Sequence, residues 1–181
     1  MRSRLLIAGL AGLAAAMLGA SSLMAHDDDN DGHGGHDGKF RVSAVLRGFQ
    51  EVPAISTTAH GFFTAVVDTK ANTITYRLKY DALEGAVQQS HVHFGQLSVN
   101  GGVSFFLCSN LGNGPAGTQA CPPGPADITG VITPDLVIGP AGQGIEAAAF
   151  AEIAAAMDDG TAYANVHSLK WPGGEIRGQL H

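Results

Sequence analysis

Charge is scarce in this chain of 181 residues: 14% of it is Asp, Glu, Lys or Arg, against the roughly one quarter usual in globular domains. Aromatic residues are also few, at 7%. Basic residues are the scarcer charge, 10 Lys and Arg against 16 acids, and the net charge of −6 argues against a nucleic acid partner. No Rossmann or P-loop glycine fingerprint is present, which leaves nucleotide chemistry without a seat. No nucleophile-elbow sequence is present either, so Ser90 and Ser168 beside their histidines do not make a hydrolase. There is no tandem repeat and no internal linker rich in Ser or Pro. The hydrophobic fraction of 45% is too high for a disordered chain, and the length suits one domain with a tail.

The one long uncharged run lies at the start. Arg2 and Arg4 precede Leu5–Leu18, and the small residues Gly19-Ala20-Ser21-Ser22 and Ala25 follow, so residues 1–25 read as a signal peptide. The run is short of the roughly 20 residues of a bilayer span. The expected location is secreted or periplasmic, with no membrane span after signal removal. No cysteine near the cleavage region offers a lipid anchor. Loss of residues 1–25 removes two arginines and no acid, taking the net charge to −8.

Residues 26–38, HDDDNDGHGGHDG, contain no apolar side chain and read as a solvated tail. Two functional readings stand beside it. His26, His33 and His36 could form a weak tail site for copper, nickel or zinc. Asp27, Asp29, Asp31 and Gly32 match the opening of an EF-hand calcium loop, but Gly38 stands where that loop needs glutamate.

From Lys39 the pattern becomes that of strands. Phe40, Val42, Ala44 and Leu46 alternate with Arg41, Ser43, Val45 and Arg47; Ile74, Tyr76, Leu78 and Tyr80 alternate with Thr73, Thr75, Arg77 and Lys79. The polar turn Thr69–Asn72 makes a hairpin of the second run and Phe62–Asp68. Further strands are expected at Ser90–Phe94, Val103–Leu107, Ile128–Ile132, Thr161–His167 and Glu175–Leu180. Eight short strands between Gly, Pro and Asn turns predict a mainly β fold, an antiparallel sandwich or barrel. One alanine-rich segment, Ile145–Met157, carries Phe150, Ile153, Ala154 and Met157 at helical spacing, with Glu146 suited to its dipole and Gly160 to its stop. A short helical turn is expected at Thr133-Pro134-Asp135. Cys108 and Cys121, both in the exported part, are expected to pair as a disulfide around a Gly/Pro-rich loop.

In Ser90-His91-Val92-His93-Phe94-Gly95, residues two apart in a strand share a face, so both imidazoles project together. That is half of a copper or zinc site, and His167 on another expected strand could supply a third nitrogen. The competing structural reading has these rings hydrogen-bonded separately within a polar patch. His60 could join as a fourth ligand if folding brought its loop close.

Three motifs together resemble the chordin-domain (CHRD) family: Phe49-Gln50-Glu51-Val52-Pro53, the Ser90–Gly95 segment, and Tyr163–Ser168 followed by Pro172–Leu180. The resemblance runs from about Phe40 to His181, which sets residues 39–181 as the domain. It implies an exported module whose partner would be an extracellular or periplasmic protein or a surface polymer. The His91-Val92-His93-Phe94-Gly95 strand and the Val166-His167 element are also similar to the copper-ligand strands of copper-zinc superoxide dismutases. That similarity implies a Greek-key β-sandwich, copper or alternatively zinc at His91, His93 and His167, and a superoxide dismutase-like redox enzyme as the alternative function. Residues 94–166 hold no histidine, so a zinc subsite of that kind is not expected. Arg177 reads either as an anion-guiding arginine or as the salt-bridge partner of Glu175. The reading carried forward is a non-enzymatic binding module that holds copper or another transition metal.

Overall fold

The computed structural model describes residues 38–181; the expected signal peptide and almost all of the Asp/His-rich tail, with His26, His33 and His36, lie outside the described residues. Among the described residues, eight strands form one nearly closed antiparallel sheet: β1 (Lys39–Arg47), β2 (His60–Asp68), β3 (Thr73–Asp81), β4 (Val87–Phe94), β5 (Gly102–Ser109), β6 (Ala126–Ile132), β7 (Ala162–Ser168) and β8 (Ile176–Gln179). They are ordered β5-β4-β7-β8-β1-β2-β3-β6. Strands β1, β2 and β3 form a meander, and β4–β5 and β7–β8 are hairpins. The short connection from β3 to β4 and the long one from β6 to β7 carry the chain across in Greek-key fashion.

Alternation decides what faces inward. Val42, Ala44 and Leu46 of β1, Phe63, Ala65 and Val67 of β2, and Ile74, Tyr76, Leu78 and Tyr80 of β3 are buried, and the residues between them look outward. Val92, Phe105, Leu107, Ala164, Val166 and Ile176 complete the core from the other half of the sheet. The turn after β2 is held by Asp68, whose Oδ1 accepts from the backbone N–H groups of Lys70 and Ala71 at 3.0 and 2.9 Å. Cys108 and Cys121 are bonded, 13 residues apart, and close the loop that joins the two edge strands β5 and β6. Across that gap the Tyr76 hydroxyl donates to the Leu107 carbonyl at 2.6 Å.

The α-helix of the described residues, α1 (Phe150–Asp158), begins five residues later than the sequence pattern suggests. Gly144 and Ala148 both adopt left-handed φ, and the N–H groups of Ile145 and Ala148 donate to Pro140 and Val137 rather than into a helix. Glu146 is therefore outside it, and Glu152 is the acid of its first turn. Its end is a Schellman arrangement, with Thr161 N–H donating to Ala156 O and Gly160 N–H to Met157 O. Phe150, Ile153, Ala154 and Met157 are buried, each large one contributing about 1.5–3 kcal/mol on the area scale. The expected turn near Thr133 is a 3-10 turn at Pro134–Leu136. Among the described residues no helix is long and apolar enough to cross a membrane.

Candidate metal centre

The register of β4, β7 and β8 assembles a polar patch on the face of the sheet opposite Val92, Ala164 and Val166. Gln89 pairs with His167, His91 with Asn165 and His93 with Tyr163; Asn165 then pairs with Arg177 and Tyr163 with Gln179. Directly paired residues project to the same side, so His91, His93, Tyr163, Asn165, His167 and Arg177 share one surface. On β5, Phe106 pairs with His91 and meets its ring edge-on, with centroids 4.5 Å apart. All four of Ser90–His93 are buried, because β4 has the core on one face and this covered patch on the other.

The patch brings His91, His93 and His167 together. One ring nitrogen from each lies within 4.8 Å of the other two, and all three residues are less than a tenth exposed. The His91 ring centroid is 5.3 Å from that of His93 and 4.9 Å from that of His167. His60 is not part of the group: it sits exposed at the start of β2, with its Nδ1 3.3 Å from the Thr58 carbonyl.

Two of the three rings are oriented by backbone. His93 Nδ1 donates to Gly101 O at 3.0 Å and His167 Nδ1 to Pro172 O at 2.9 Å. A carbonyl only accepts, so both rings carry their proton on Nδ1 and turn Nε2 toward the centre of the group. Asn165 Oδ1 stands between those nitrogens, 3.2 Å from His93 Nε2 and 3.1 Å from His167 Nε2. His91 Nδ1 is buried with no partner. Burial, and then the neighbouring rings, push His91 down to about 3; burial pushes His93 down to about 4, and it also lowers His167. The cluster is thus three neutral imidazoles at ordinary pH, the form in which histidine binds metals.

A loop covers the patch, and Arg177 pins it there. The guanidinium donates to Val99 O at 2.9 Å, to Gln96 O at 3.2 Å and to Asn100 Oδ1 at 3.4 Å. It also lies 3.4 Å from the centre of the Tyr163 ring, and that ring stacks on His93 with centroids 4.6 Å apart. The loop ends at Gly101, where a Cβ would strike Phe94 O at 1.7 Å, so only glycine lets this carbonyl reach His93. Arg177 is 1% exposed and makes no ion pair with Glu175. Glu175 instead accepts from Thr57 Oγ1 and from the backbone N–H of Glu84, both at 2.8 Å on Oε1.

The carboxylate that Arg177 does feel is Glu51, in the segment after the 3-10 turn Gly48–Gln50. Glu51 is buried with Oε1 unpartnered, and burial raises its pKa to about 7 against the opposing pull of Arg177. Gly174, at φ +128°, makes room for it: a Cβ there would lie 2.5 Å from Glu51 Oε1. Sequence reasoning named the three histidines but not Asn165, Tyr163 or Glu51. Asn165 was accessible to the same two-residue rule that linked His91 with His93, since it stands two before His167.

Neither the curated proteins nor the solved structures hold a match to the chain. The CHRD domain model matches residues 42–180, which run from within β1 to the residue after β8 and include every member of the patch, and the chain belongs to the CHRD domain family.

Proposed function

We propose that this chain is an exported CHRD binding module that holds one transition metal ion, copper or alternatively zinc, through His91, His93 and His167. The observation that carries the reading is the pair of backbone carbonyls, Gly101 O and Pro172 O, which fix the Nδ1 tautomer of His93 and His167 and aim both Nε2 lone pairs at one place. The unpartnered, buried Nδ1 of His91 supplies a polar atom that an ion would satisfy. For bonds of roughly 2 Å, adjacent ligands of a tetrahedral ion stand about 3.3 Å apart, so the group needs to tighten by up to about 1.5 Å around it. The metal serves a module that binds a further partner, an extracellular or periplasmic protein or a surface polymer, through loops and edge strands.

A superoxide dismutase-like redox enzyme is the weaker reading. The arginine it would use to draw an anion is enclosed, with its guanidinium spent on three loop acceptors and the Tyr163 face.

The test is metal titration of a chain in which His26, His33 and His36 are changed to Gln, which silences the tail. One equivalent of Cu(II) or Zn(II) is expected to bind. His93→Ala is expected to weaken it by about 100-fold or more, because two nitrogens do not define a site. Absence of stoichiometric binding overturns the proposal.

A further inference from the structure

We infer that the carboxamide oxygen of Asn165 is the fourth protein ligand of this centre, which makes it a site of three histidine nitrogens and one asparagine oxygen; the inference rests on the metal-binding reading above. The argument begins with proton positions. Because His93 and His167 each give their Nδ1 proton to a carbonyl, each neutral ring offers a lone pair at Nε2. Asn165 Oδ1 offers lone pairs as well, yet it lies 3.2 and 3.1 Å from those two nitrogens. Three acceptors crowded at such distances inside a buried patch repel one another unless something positive lies among them.

The spacing is that of neighbouring ligands on one ion. Metal–nitrogen and metal–oxygen bonds of roughly 2.0–2.2 Å at angles between a right angle and tetrahedral put adjacent donors about 2.9–3.4 Å apart. Both Asn165 distances fall in that interval. The strand register holds the geometry: Asn165 lies directly opposite His91 on β4 and two residues from His167 on its own strand, so backbone pairing alone places its amide amid the three rings. Asn165 is 3% exposed, so water does not compete for its oxygen.

A different rotation of the same amide would turn its NH2 to the two lone pairs and plug the site with hydrogen bonds. The two arrangements predict opposite effects of removing the side chain, and that opposition makes the test. In the chain lacking the tail histidines, Zn(II) affinity is measured for Asn165→Ala and Asn165→Asp, with Co(II) absorption as the probe of donor set. A ligand oxygen predicts that Asn165→Ala loses about 10-fold or more in affinity, while Asn165→Asp gains about 10-fold and shifts the Co(II) bands. Unchanged or tighter binding by Asn165→Ala, with His93→Ala still weakened, overturns this inference and leaves the metal-binding reading standing. Absence of binding by the parent chain overturns both. Asn165→Asp is nearly isosteric, and the apo melting temperature of each variant separates a lost ligand from a lost fold.

Discussion

The guanidinium of Arg177 rests 3.4 Å from the centre of the Tyr163 ring, and Tyr163 lies parallel to His93 with ring centroids 4.6 Å apart. Arg177 therefore acts on the histidine group from two directions: through the stacked rings and through the loop whose last residue, Gly101, fixes the His93 tautomer. Nothing in that arrangement exposes the cation to solvent. The arginine is the peg of a cover.

Arg177→Met is expected to cost about 2–3 kcal/mol, because it removes three hydrogen bonds made by a charged donor that is itself buried. Arg177→Lys should recover only part of it, since one ammonium cannot span the Gln96, Val99 and Asn100 acceptors while stacking on Tyr163. Denaturant unfolding measures the stability. Amide exchange of residues 96–101 should rise in both variants, and an unchanged exchange rate there would contradict the pinning role.

The buried titrating groups give stability two opposed pH slopes. His91 and His93, held at about 3 and 4 when folded, take up protons more readily when unfolded, so their contribution is present above about 6.5 and is lost as pH falls toward 4. Glu51, raised to about 7, acts the other way: its contribution is present below 4.5 and is lost as pH rises through 7. Glu51→Gln is accordingly expected to stabilise the protein by about 1–3 kcal/mol at pH 8 and to match the parent near pH 4. Melting temperatures of both proteins between pH 4 and 8 check the sign. Arg177→Met should raise the Glu51 midpoint further, because Arg177 lowers it in the parent.

How far the sequence led depended on whether burial came from one face or two. β1 and β3 have the core on one side and solvent on the other, so the alternation at Val42–Leu46 and Ile74–Tyr80 displays their inward faces directly. β4 and β7 are covered on both faces, and all of β7 is buried, so alternation there distinguishes little. The spacing of His91 and His93 showed that they share a face. It did not show that Asn165 lies opposite His91, since register is a property of two strands. Helical spacing in Ile145–Met157 was real from Phe150 onward, but the left-handed residues Gly144 and Ala148 hold the first five residues in a loop. Glu51 carried no sequence signal of its burial, which depends on Gly174 some 120 residues away. The pairing of Glu175 with Arg177 failed because Glu175 precedes β8 and its carboxylate turns to Thr57 and Glu84.

Reduction of the Cys108–Cys121 bond should lower stability by about 3 kcal/mol, the loop-closure value for a ring of this length. The loss should be felt first at the β5–β6 gap, where Tyr76 joins Leu107 and Gln119. Native protein is expected to show no free thiol on labelling without denaturant. Two reactive thiols under those conditions would exclude the bond as a structural element.

The last expectation concerns metal and acid together. A proton competes with a metal for the same imidazole lone pair, so an exposed histidine site would release its ion as pH falls below about 6. Here burial holds the folded-state values of His91 and His93 near 3 and 4, so proton competition within the folded protein begins only at lower pH. Binding the ion also draws on the folded state alone, since no preformed site exists in the unfolded chain, and so it stabilises the fold by mass action. The melting temperature should therefore rise with added Zn(II) or Cu(II) at pH 7, and the increment should persist to about pH 5. His167→Ala should abolish the increment while leaving the tail histidines to bind weakly. Calorimetric scans at pH 7 and 5, with and without one equivalent of metal, distinguish the cases. Loss of the increment between pH 7 and 6 would mean that the ion sits on exposed histidines and not in the patch between β4 and β7.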